Sequence, residues 1–512
     1  MKKIALLFSI LMCSIYSVGQ NRNSIWCFGD SAGIDFNNIN NPVPIISGMD
    51  SRGSCASTAD ANGNLLFYSA TMPYFGPNSF YSTKVFNSTH SIMAGADSIT
   101  GEAWYSELAL FPKPGSDSLY YLFSNAVGPN PNQGMYFTII DMSQNGGLGA
   151  IVQQNIQVDA NVYGDCLTAV KHGNGRDWWV IGKWSTFSTL QTNRFFVYLV
   201  TPDSVYGPTI QDLGNAIDVD FQKIIWHPFL NKFMMINGAG FMCEYDFDRC
   251  IGTITESKIV FSEQTSNYDR IFWEGAYSPN GNVFYVSRTS YGGNFGDYNY
   301  LLQYDLTATN IPLSCDTLDS TMYPPVDCGA LRLAPDGKIY YSQAYISQTV
   351  LSYPYADSMR NYINENLGVI NDADVVGNGC NFTPFSFYLG GKRTYYGLPN
   401  NPNYSLGPVV GSPCDTLTNI FNLSAKEKVT MFYLSPNPAT RIIYFNAQNV
   451  KGKNAAITIR NSFGEKVLEK ATPIYNRGYV TGEINVERFV TGVYLIALQT
   501  EKEIISVKFV KK

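Results

Sequence analysis

Apolar and polar positions alternate along most of this chain in short runs, which glycine, proline or asparagine residues interrupt. The apolar positions hold many Tyr, Phe, Val and Ile residues, which favour the pleated, half-buried surface of a β-sheet. Long runs with the three- and four-residue spacing of an amphipathic helix are scarce. The pattern therefore predicts an all-β fold.

A turn followed directly by an aromatic strand recurs along the chain, most clearly at 278–286 and 334–341. Successive turns lie 50 to 60 residues apart and carry the following residues, the last copy being the loosest: Gly63, Gly115, Gly175, Asn231, Gly281, Gly337 and Gly391. A repeat of about this length with hairpin turns is typical of a β-propeller, whose blades are four-stranded sheets. Seven turns predict a seven-bladed propeller, with the strand at 24–28 completing the last blade and closing the ring.

The first residues have the organisation of a secretory signal peptide. Two lysines follow Met1, an apolar stretch covers 4–15, and small residues at 17–19 precede a predicted cleavage before Gln20. Later apolar runs are shorter than the roughly 18 residues that a membrane-spanning helix requires. The sequence therefore predicts export and no membrane span.

The last eighty or so residues carry a series of short motifs on alternating strands. Their marker residues are Pro436, Asn437, Pro438, Gly464, Gly492, Tyr494 and Lys508. This order resembles the type A C-terminal sorting domain of the Bacteroidetes type IX secretion system, with Phe489 standing where that pattern usually has Leu. The resemblance implies an immunoglobulin-like β-sandwich at 432–512, which the type IX translocon recognises and a sortase removes. It also implies transport through the periplasm and outer membrane, with the body released or anchored at the cell surface.

The body resembles a group of exported Bacteroidetes β-propeller proteins. The stretches that carry this resemblance include 25–29, 145–149, 245–250 and 397–400. The resemblance implies a fold and a destination, but it does not indicate which activity the protein has. The predicted organisation is a signal peptide at 1–19, a propeller at 20–405, a linker at 406–431 and the sorting domain at 432–512.

Charge is unevenly divided between these parts. Residues 20–431 hold 21 Lys or Arg and 35 Asp or Glu, whereas residues 432–512 hold 12 and 6. An acidic body argues against nucleic acid as the partner.

Nine cysteines remain after the predicted cleavage, and an exported protein uses cysteines mainly for disulfides. Their spacing does not fit a zinc site. Proximity in sequence favours the pairs Cys243–Cys250 and Cys315–Cys328. The odd count leaves at least one thiol free or bonded to another chain.

Several motifs suggest chemistry, and each has a simpler structural explanation. Residues 29–33 fit the G-x-S-x-G elbow of hydrolases, but strand and loop follow where the elbow needs a helix. Asp60, Asn62 and Asn64 match the start of a calcium loop that lacks its later glycine and glutamate, so a turn explains them better. Structural calcium among loops such as 371–374 is an alternative, and no other cofactor is predicted.

Residues that could act on or bind a carbohydrate are scattered over the repeats. Four glutamates are candidates for the carboxyl pair of a glycoside hydrolase: Glu102, Glu107, Glu263 and Glu274. The tryptophans at 178, 179, 184, 226 and 273 are candidates for a sugar site, although repeat strands favour core positions for most. The histidines His90, His172 and His227 lie in different repeats, which does not favour a metal site.

A three-residue pattern, Asp before Ser or Thr and then a small or apolar residue, resembles the O-glycosylation signal of exported Bacteroidetes proteins. Besides Ser31, it occurs at Ser98, Ser118, Ser204, Thr317, Ser320, Ser358 and Thr416.

The sequence favours a non-catalytic binding module whose ligand, a surface protein or a glycan, docks on the loop face around the channel. An extracellular hydrolase or lyase acting on a polysaccharide or ester is the alternative, and a structural component of the cell surface is a third. Carboxylates with a metal at the channel mouth would favour the enzyme. An aromatic, uncharged mouth would favour binding.

Overall fold

The computed structural model describes residues 21–71, 83–96, 98–101, 105–126, 133–161, 163–184, 193–213, 221–262, 271–290, 297–346, 356–415, 431–448, 450–474 and 480–512. Within these ranges the regular structure is β-strand, apart from short 3-10 helices at Asn145–Gly147, Pro312–Ser314, Asp357–Met359 and Gly377–Cys380. The all-β prediction is therefore confirmed. None of the described residues forms a helix long and apolar enough to span a membrane.

Among the described residues, consecutive strands of the body pair into seven antiparallel sheets. Sheet one consists of the three strands β1 (Ile25–Phe28), β2 (Asp30–Asp35) and β3 (Val43–Asp50). Sheet two consists of the three strands β4 (Cys55–Ala59), β5 (Leu65–Thr71) and β6 (Thr83–Asn87). Sheet three consists of β7 (Leu108–Pro112), β8 (Leu119–Ala126), β9 (Gly134–Asp141) and β10 (Ala150–Asp159). Sheet four consists of β11 (Tyr163–Lys171), β12 (Trp178–Trp184), β13 (Arg194–Val200) and β14 (Val205–Asp212).

The remaining three sheets of the body also have four strands each. Sheet five consists of β15 (Gln222–Trp226), β16 (Lys232–Asn237), β17 (Phe241–Asp248) and β18 (Thr253–Ser262). Sheet six consists of β19 (Ile271–Tyr277), β20 (Val283–Ser290), β21 (Tyr298–Asp305) and β22 (Asp316–Met322). Sheet seven is β23 (Val326–Leu333), β24 (Ile339–Tyr345), β25 (Asn366–Ile370) and β26 (Phe382–Tyr388).

The sheets pack side by side through their first strands, in the order β1, β4, β7, β11, β15, β19 and β23. The last sheet then packs on the first, since Tyr340 of β24 lies against Trp26 and Phe36 with ring centroids 5.9 and 5.5 Å apart. These three side chains belong to one buried core. The body therefore has a β-propeller-like fold.

Six of the predicted turns lie directly before the second strands of sheets two to seven. The turn residue of five of them is glycine with positive φ, for example 89° at Gly63 and 73° at Gly281, which other residues rarely adopt. The seventh prediction is wrong, because the turn at Gly391 is followed by no regular strand. The strand predicted at 24–28 is also placed differently: β1 opens its own sheet with β2 and β3.

Residues 393–407, which we name the strap, lie outside the seven sheets. Arg393 exchanges backbone hydrogen bonds with Asp30 of β2. The next six residues are all buried as well. The strap thus belongs to the interior of the body.

The chain divides into two compact units, 1–408 and 409–512. The second contains a sheet of β27 (Met431–Ser435), β28 (Ile442–Gln448) and β31 (Val480–Asn485), and a sheet in the order β30 (Lys466–Thr472), β29 (Ala455–Arg460), β32 (Gly492–Thr500) and β33 (Ile504–Lys511). Both sheets contribute to one core, in which Ile443, Ile457 and Ile496 are fully buried.

The predicted disulfide pairs are wrong. Cys250 is disulfide-bonded, as is Cys414, whereas Cys243, Cys315 and Cys328 have free thiols. Cys243 lies in the middle of β17 with its side chain in an interior core, and Cys328 is fully buried on β23. Proximity in sequence misled the prediction, because residues close along a strand need not face each other.

Candidate functional site

Five charged side chains from four sheets lie on or beside the first strands, and we name them the polar cluster. Its members are Glu107, just before β7, Lys223 on β15, Glu274 on β19, and Asp327 and Arg332 on β23. Glu107, Lys223 and Asp327 lie at or near the beginning of a first strand and Glu274 lies in the middle of one. These four are almost fully buried. The first strands pack against one another, and this packing brings Glu107, Lys223, Glu274 and Arg332 close together.

Lys223 links two of the carboxylates. Its Nζ lies 3.6 Å from Glu274 Oε2, and its positive charge also lowers the pKa of the Glu107 carboxyl. Arg332 reaches the same Glu274 oxygen, with Nη2 at 3.7 Å. Removing one partner from such a buried group leaves an uncompensated charge, which costs several kcal/mol, roughly 3–5 in known cases.

Glu107 is fully buried and only partly satisfied. Its Oε1 accepts a hydrogen bond from the backbone N–H of Tyr105 at 2.8 Å. Its Oε2 has no hydrogen-bond partner among the residues that the structure describes. Burial raises the pKa of the Glu107 carboxyl to about 7, against the lowering effect of Lys223. Near neutral pH this side chain is therefore poised between its acid and its carboxylate.

Asp327 is a second carboxyl with a raised pKa. Burial raises it to about 7, although hydrogen bonds to the ionised form oppose the shift. The Tyr396 hydroxyl donates to Oδ2 at 3.1 Å, and the Cys328 N–H donates to Oδ1 at 2.9 Å. The Thr289 hydroxyl lies 3.3 Å from Oδ1. Asp327 is thus held in one orientation.

Four aromatic rings pack together beside the polar cluster, and we name them the aromatic layer. Tyr105, Phe221 and Trp273 contact one another edge to face, with centroids 4.8 to 5.1 Å apart. Tyr396 of the strap stacks on Trp273 at 5.5 Å. Lys223 Nζ lies 5.8 and 5.6 Å from the rings of Tyr105 and Phe221, so the layer rests on the charges. Tyr105 and Phe221 remain half-buried and reach solvent.

Several further buried polar atoms lack a hydrogen-bond partner within the described part of the chain. Asn125 of β8 donates its backbone N–H to the Glu107 carbonyl at 3.0 Å, and both polar atoms of its fully buried amide are unsatisfied. Arg332 Nε and Gln343 Oε1, both from the last sheet, are unsatisfied as well. A buried polar group without a partner costs ~1–3 kcal/mol. Such groups mark places where water or a ligand supplies hydrogen bonds.

The structure brings together some of the residues that the sequence suggested. Glu274 forms an ion pair with Lys223, and the charge of Lys223 lowers the pKa of Glu107. Trp273 lies in the aromatic layer. Glu102 and Glu263 lie outside the described residues. The other tryptophans named as candidates lie in cores between the sheets.

Lys223, Asp327 and Arg332 were missed by sequence reasoning. The sequence did contain a signal for Lys223. An aromatic residue is followed two positions later by a charged residue at the beginning of an apolar strand, both at Tyr105 and Glu107 and at Phe221 and Lys223.

The remaining motifs form no site together. Residues 29–33 make the hairpin between β1 and β2. Asp60 Oδ1 accepts the N–H groups of Asn62 and Asn64 at 2.8 and 2.9 Å, as expected for a turn. His90 contacts Tyr68, whereas His172 contacts the carbonyl of Cys250. Within the described ranges, no three His, Cys, Asp or Glu side chains are arranged to hold a metal ion.

The sorting-motif residues from both ends of the second unit meet at the C-terminal strand. Asn437 Nδ2 donates to the Lys508 carbonyl at 3.1 Å, and its Oδ1 accepts the Val510 N–H at 2.9 Å. Its side chain therefore pairs with the edge of β33 as a neighbouring strand would. Tyr494 is buried, donates its hydroxyl to the Val490 carbonyl at 2.7 Å and stacks on Phe509.

Most predicted glycosylation positions are accessible. Ser98, Ser204, Thr317, Ser320 and Ser358 are exposed. Ser118 is half-buried, and Thr416 lies outside the described residues.

Comparison with known proteins gives one family match. Residues 433–512 match the family described as the secretion system C-terminal sorting domain. No curated protein matches the chain.

Solved structures give distant likenesses. Puromycin hydrolase is 11% identical over 63% of this chain and 46% of its own, with a TM-score of 0.34, so the chain spans less than half of that protein. PorZ, a surface component of the type IX secretion system of Porphyromonas gingivalis, is 10% identical over 96% and 80%, with a TM-score of 0.20. The Dos1 propeller is 12% identical over 63% and 91%, with a TM-score of 0.35. Likenesses this weak carry no argument.

Fold and site together define an all-β protein with a β-propeller-like body, a buried charged and aromatic site, and a C-terminal sorting domain. That domain sends the protein through the type IX secretion system to the cell surface or the extracellular space.

Proposed function

We propose that the seven sheets are the blades of a closed seven-bladed propeller. Packing of the seventh sheet on the first supports closure. The finer assignments made from the sequence are proposed with it: a signal peptide at 1–19, the domain bounds, a type A immunoglobulin-like sorting sandwich of a Bacteroidetes protein, and O-glycosylation.

We infer that the exported body is a non-catalytic binding module whose ligand docks on the aromatic layer. The observation that carries this inference is the layer itself, in which Tyr105 and Phe221 reach solvent above a buried polar cluster. Ligand sites in proteins combine aromatic walls with a few placed polar groups. Unsatisfied donors and acceptors at Glu107 and Asn125 suit a ligand rich in hydroxyl groups, which supports a glycan.

A glycan array with the full secreted chain tests this function, followed by titration calorimetry with each hit. Tyr105→Ala and Phe221→Ala should weaken binding about tenfold or more, because truncating a central aromatic contact often costs ~2 kcal/mol. Tyr388→Ala is the matched control, since this tyrosine is 56% exposed on β26. Equal loss in all three variants, or no loss in the first two, would remove the aromatic layer from the binding site.

A glycoside hydrolase is the second candidate, and the pKa of Glu107 favours it. A carboxyl with a pKa of about 7 can protonate a departing glycosidic oxygen near neutral pH. Glu274, which lies beside Lys223, would accept the proton of the attacking water. Release of reducing ends from a polysaccharide panel, abolished by Glu107→Gln and by Glu274→Gln, would establish this activity. Binding without turnover would exclude it for the glycans tested.

A further inference from the structure

The strap makes hydrogen bonds to residues of almost every sheet in the body. At its beginning, the Tyr396 N–H donates to the Arg52 carbonyl just before β4 at 3.0 Å, and its carbonyl accepts the Ala330 N–H of β23 at 2.8 Å. Its ring stacks on Trp273 of β19. Tyr396 therefore contacts the sixth and seventh sheets and the connection between the first and second, and the Asn400 N–H donates to the Cys55 carbonyl of the second sheet at 2.8 Å.

Further along, asparagine side chains of the strap continue the series. Asn400 Nδ2 donates to the carbonyls of Leu108 on β7 and Leu167 on β11, at 3.0 and 2.9 Å. Asn403 Nδ2 donates to the Pro228 carbonyl, in the turn after β15, at 2.8 Å. With Arg393 bonded to Asp30 of the first sheet, all seven sheets meet this one segment.

A single segment that contacts all seven sheets lies where those sheets converge. We propose that the first strands form a peptide-binding channel whose occupant is the chain's own strap, and that docking of the strap holds the ring together. The channel is therefore filled from within, and the aromatic layer is completed only when the strap brings Tyr396 to Trp273. Ring assembly by the strap goes beyond the proposed ligand function, because it can be tested with no ligand.

A glycine pair in the strap offers a matched test. A Cβ added at Gly397 would lie 1.7 Å from the carbonyl oxygen of Gly53, so the two backbones could no longer approach. A Cβ added at Gly407 meets nothing within 4 Å. Gly397→Ala should lower the thermal midpoint of the body by roughly 5 °C or more, and Gly407→Ala should leave it unchanged. Equal midpoints for the two variants would overturn the proposal.

A cut chain tests the strap as a separable ligand, and it applies even where Gly397→Ala fails to fold. A site for a specific protease replaces residues 390–392 in the full chain, and the folded protein is cut at that site. Reductant is added so that the disulfide bonds of Cys250 and Cys414 do not hold the pieces together. The pieces should co-elute on size exclusion, separate in urea, and regain the compact form when a 393–408 peptide is added on refolding. Asn400→Ala should speed their separation. Pieces that part without denaturant, or a peptide that restores nothing, would overturn the proposal.

Discussion

The ionisation of Glu107 gives the sharpest quantitative prediction. Its carboxyl is fully buried, and its pKa rises from 4.5 to about 7 on folding. A shift of that size is worth about 3 kcal/mol, at ~1.4 kcal/mol per unit. Because the folded state holds the proton more tightly than the unfolded state, this contribution stabilises the body fully below pH 4.5. It is lost as the pH rises towards 7.

Glu107→Gln removes the titration while keeping the shape of the side chain. The free energy of unfolding of the wild type should therefore fall relative to the variant by about 3 kcal/mol between pH 4.5 and 8. Glu256→Gln, at an exposed position of β18, is the control and should follow the wild type at every pH. Any packing defect of the glutamine would shift the curve by a constant, so the change with pH isolates the ionisation.

Urea unfolding followed by tryptophan fluorescence measures the quantity needed. All seven tryptophans lie before residue 409, so the signal reports the body alone. Parallel curves for wild type and Glu107→Gln from pH 4.5 to 8 would refute the reasoning. They would mean that Glu107 stays ionised in the folded protein, held by Lys223 more strongly than burial opposes.

Three further predictions concern other parts of the chain. Asn437→Ala should lose both bonds to β33 and make the C-terminal strand more sensitive to carboxypeptidase, whereas Asn454→Ala, at an exposed position, should not. In the unfolded, unreduced protein, Cys250→Ser should increase the number of reactive thiols by one, because it frees the cysteine to which Cys250 is bonded. Cys243→Ser should decrease that number by one, because Cys243 is a free thiol. Trp273→Phe should lose a 2.7 Å hydrogen bond to a buried hydroxyl and cost ~1–3 kcal/mol in urea unfolding.

The fold was predictable from the sequence wherever local chemistry decides it. Turns such as 60–64 fix their own geometry, because glycine takes a positive φ and the Asp60 carboxylate accepts nearby N–H groups. The aromatic strand that follows each of these turns then pairs with its neighbours. At Gly391 the same turn chemistry is present, yet the residues beyond it contact distant sheets, and no local pattern encodes that.

The site was only partly predictable, for a related reason. Glu107 and Glu274 were two of four glutamates named as scattered candidates. Their common neighbour Lys223 lies on a sheet that contains neither of them. Which charges meet depends on how the first strands pack, not on their spacing along the chain. The disulfide failed in the same way, since the short separation of Cys243 and Cys250 says nothing about the direction of their side chains.

The composition of the strap did not predict its contacts. Proline and asparagine are common in linkers, yet residues 393–399 are buried and Asn400 and Asn403 point their amides at backbone carbonyls. The first strand of each sheet has one edge that no strand of its own sheet pairs, and buried backbone groups there need partners. Amide side chains supply donors without requiring a regular strand register. A segment that donates to carbonyls on several differently placed strands is therefore better built from asparagine than from the apolar residues of a core.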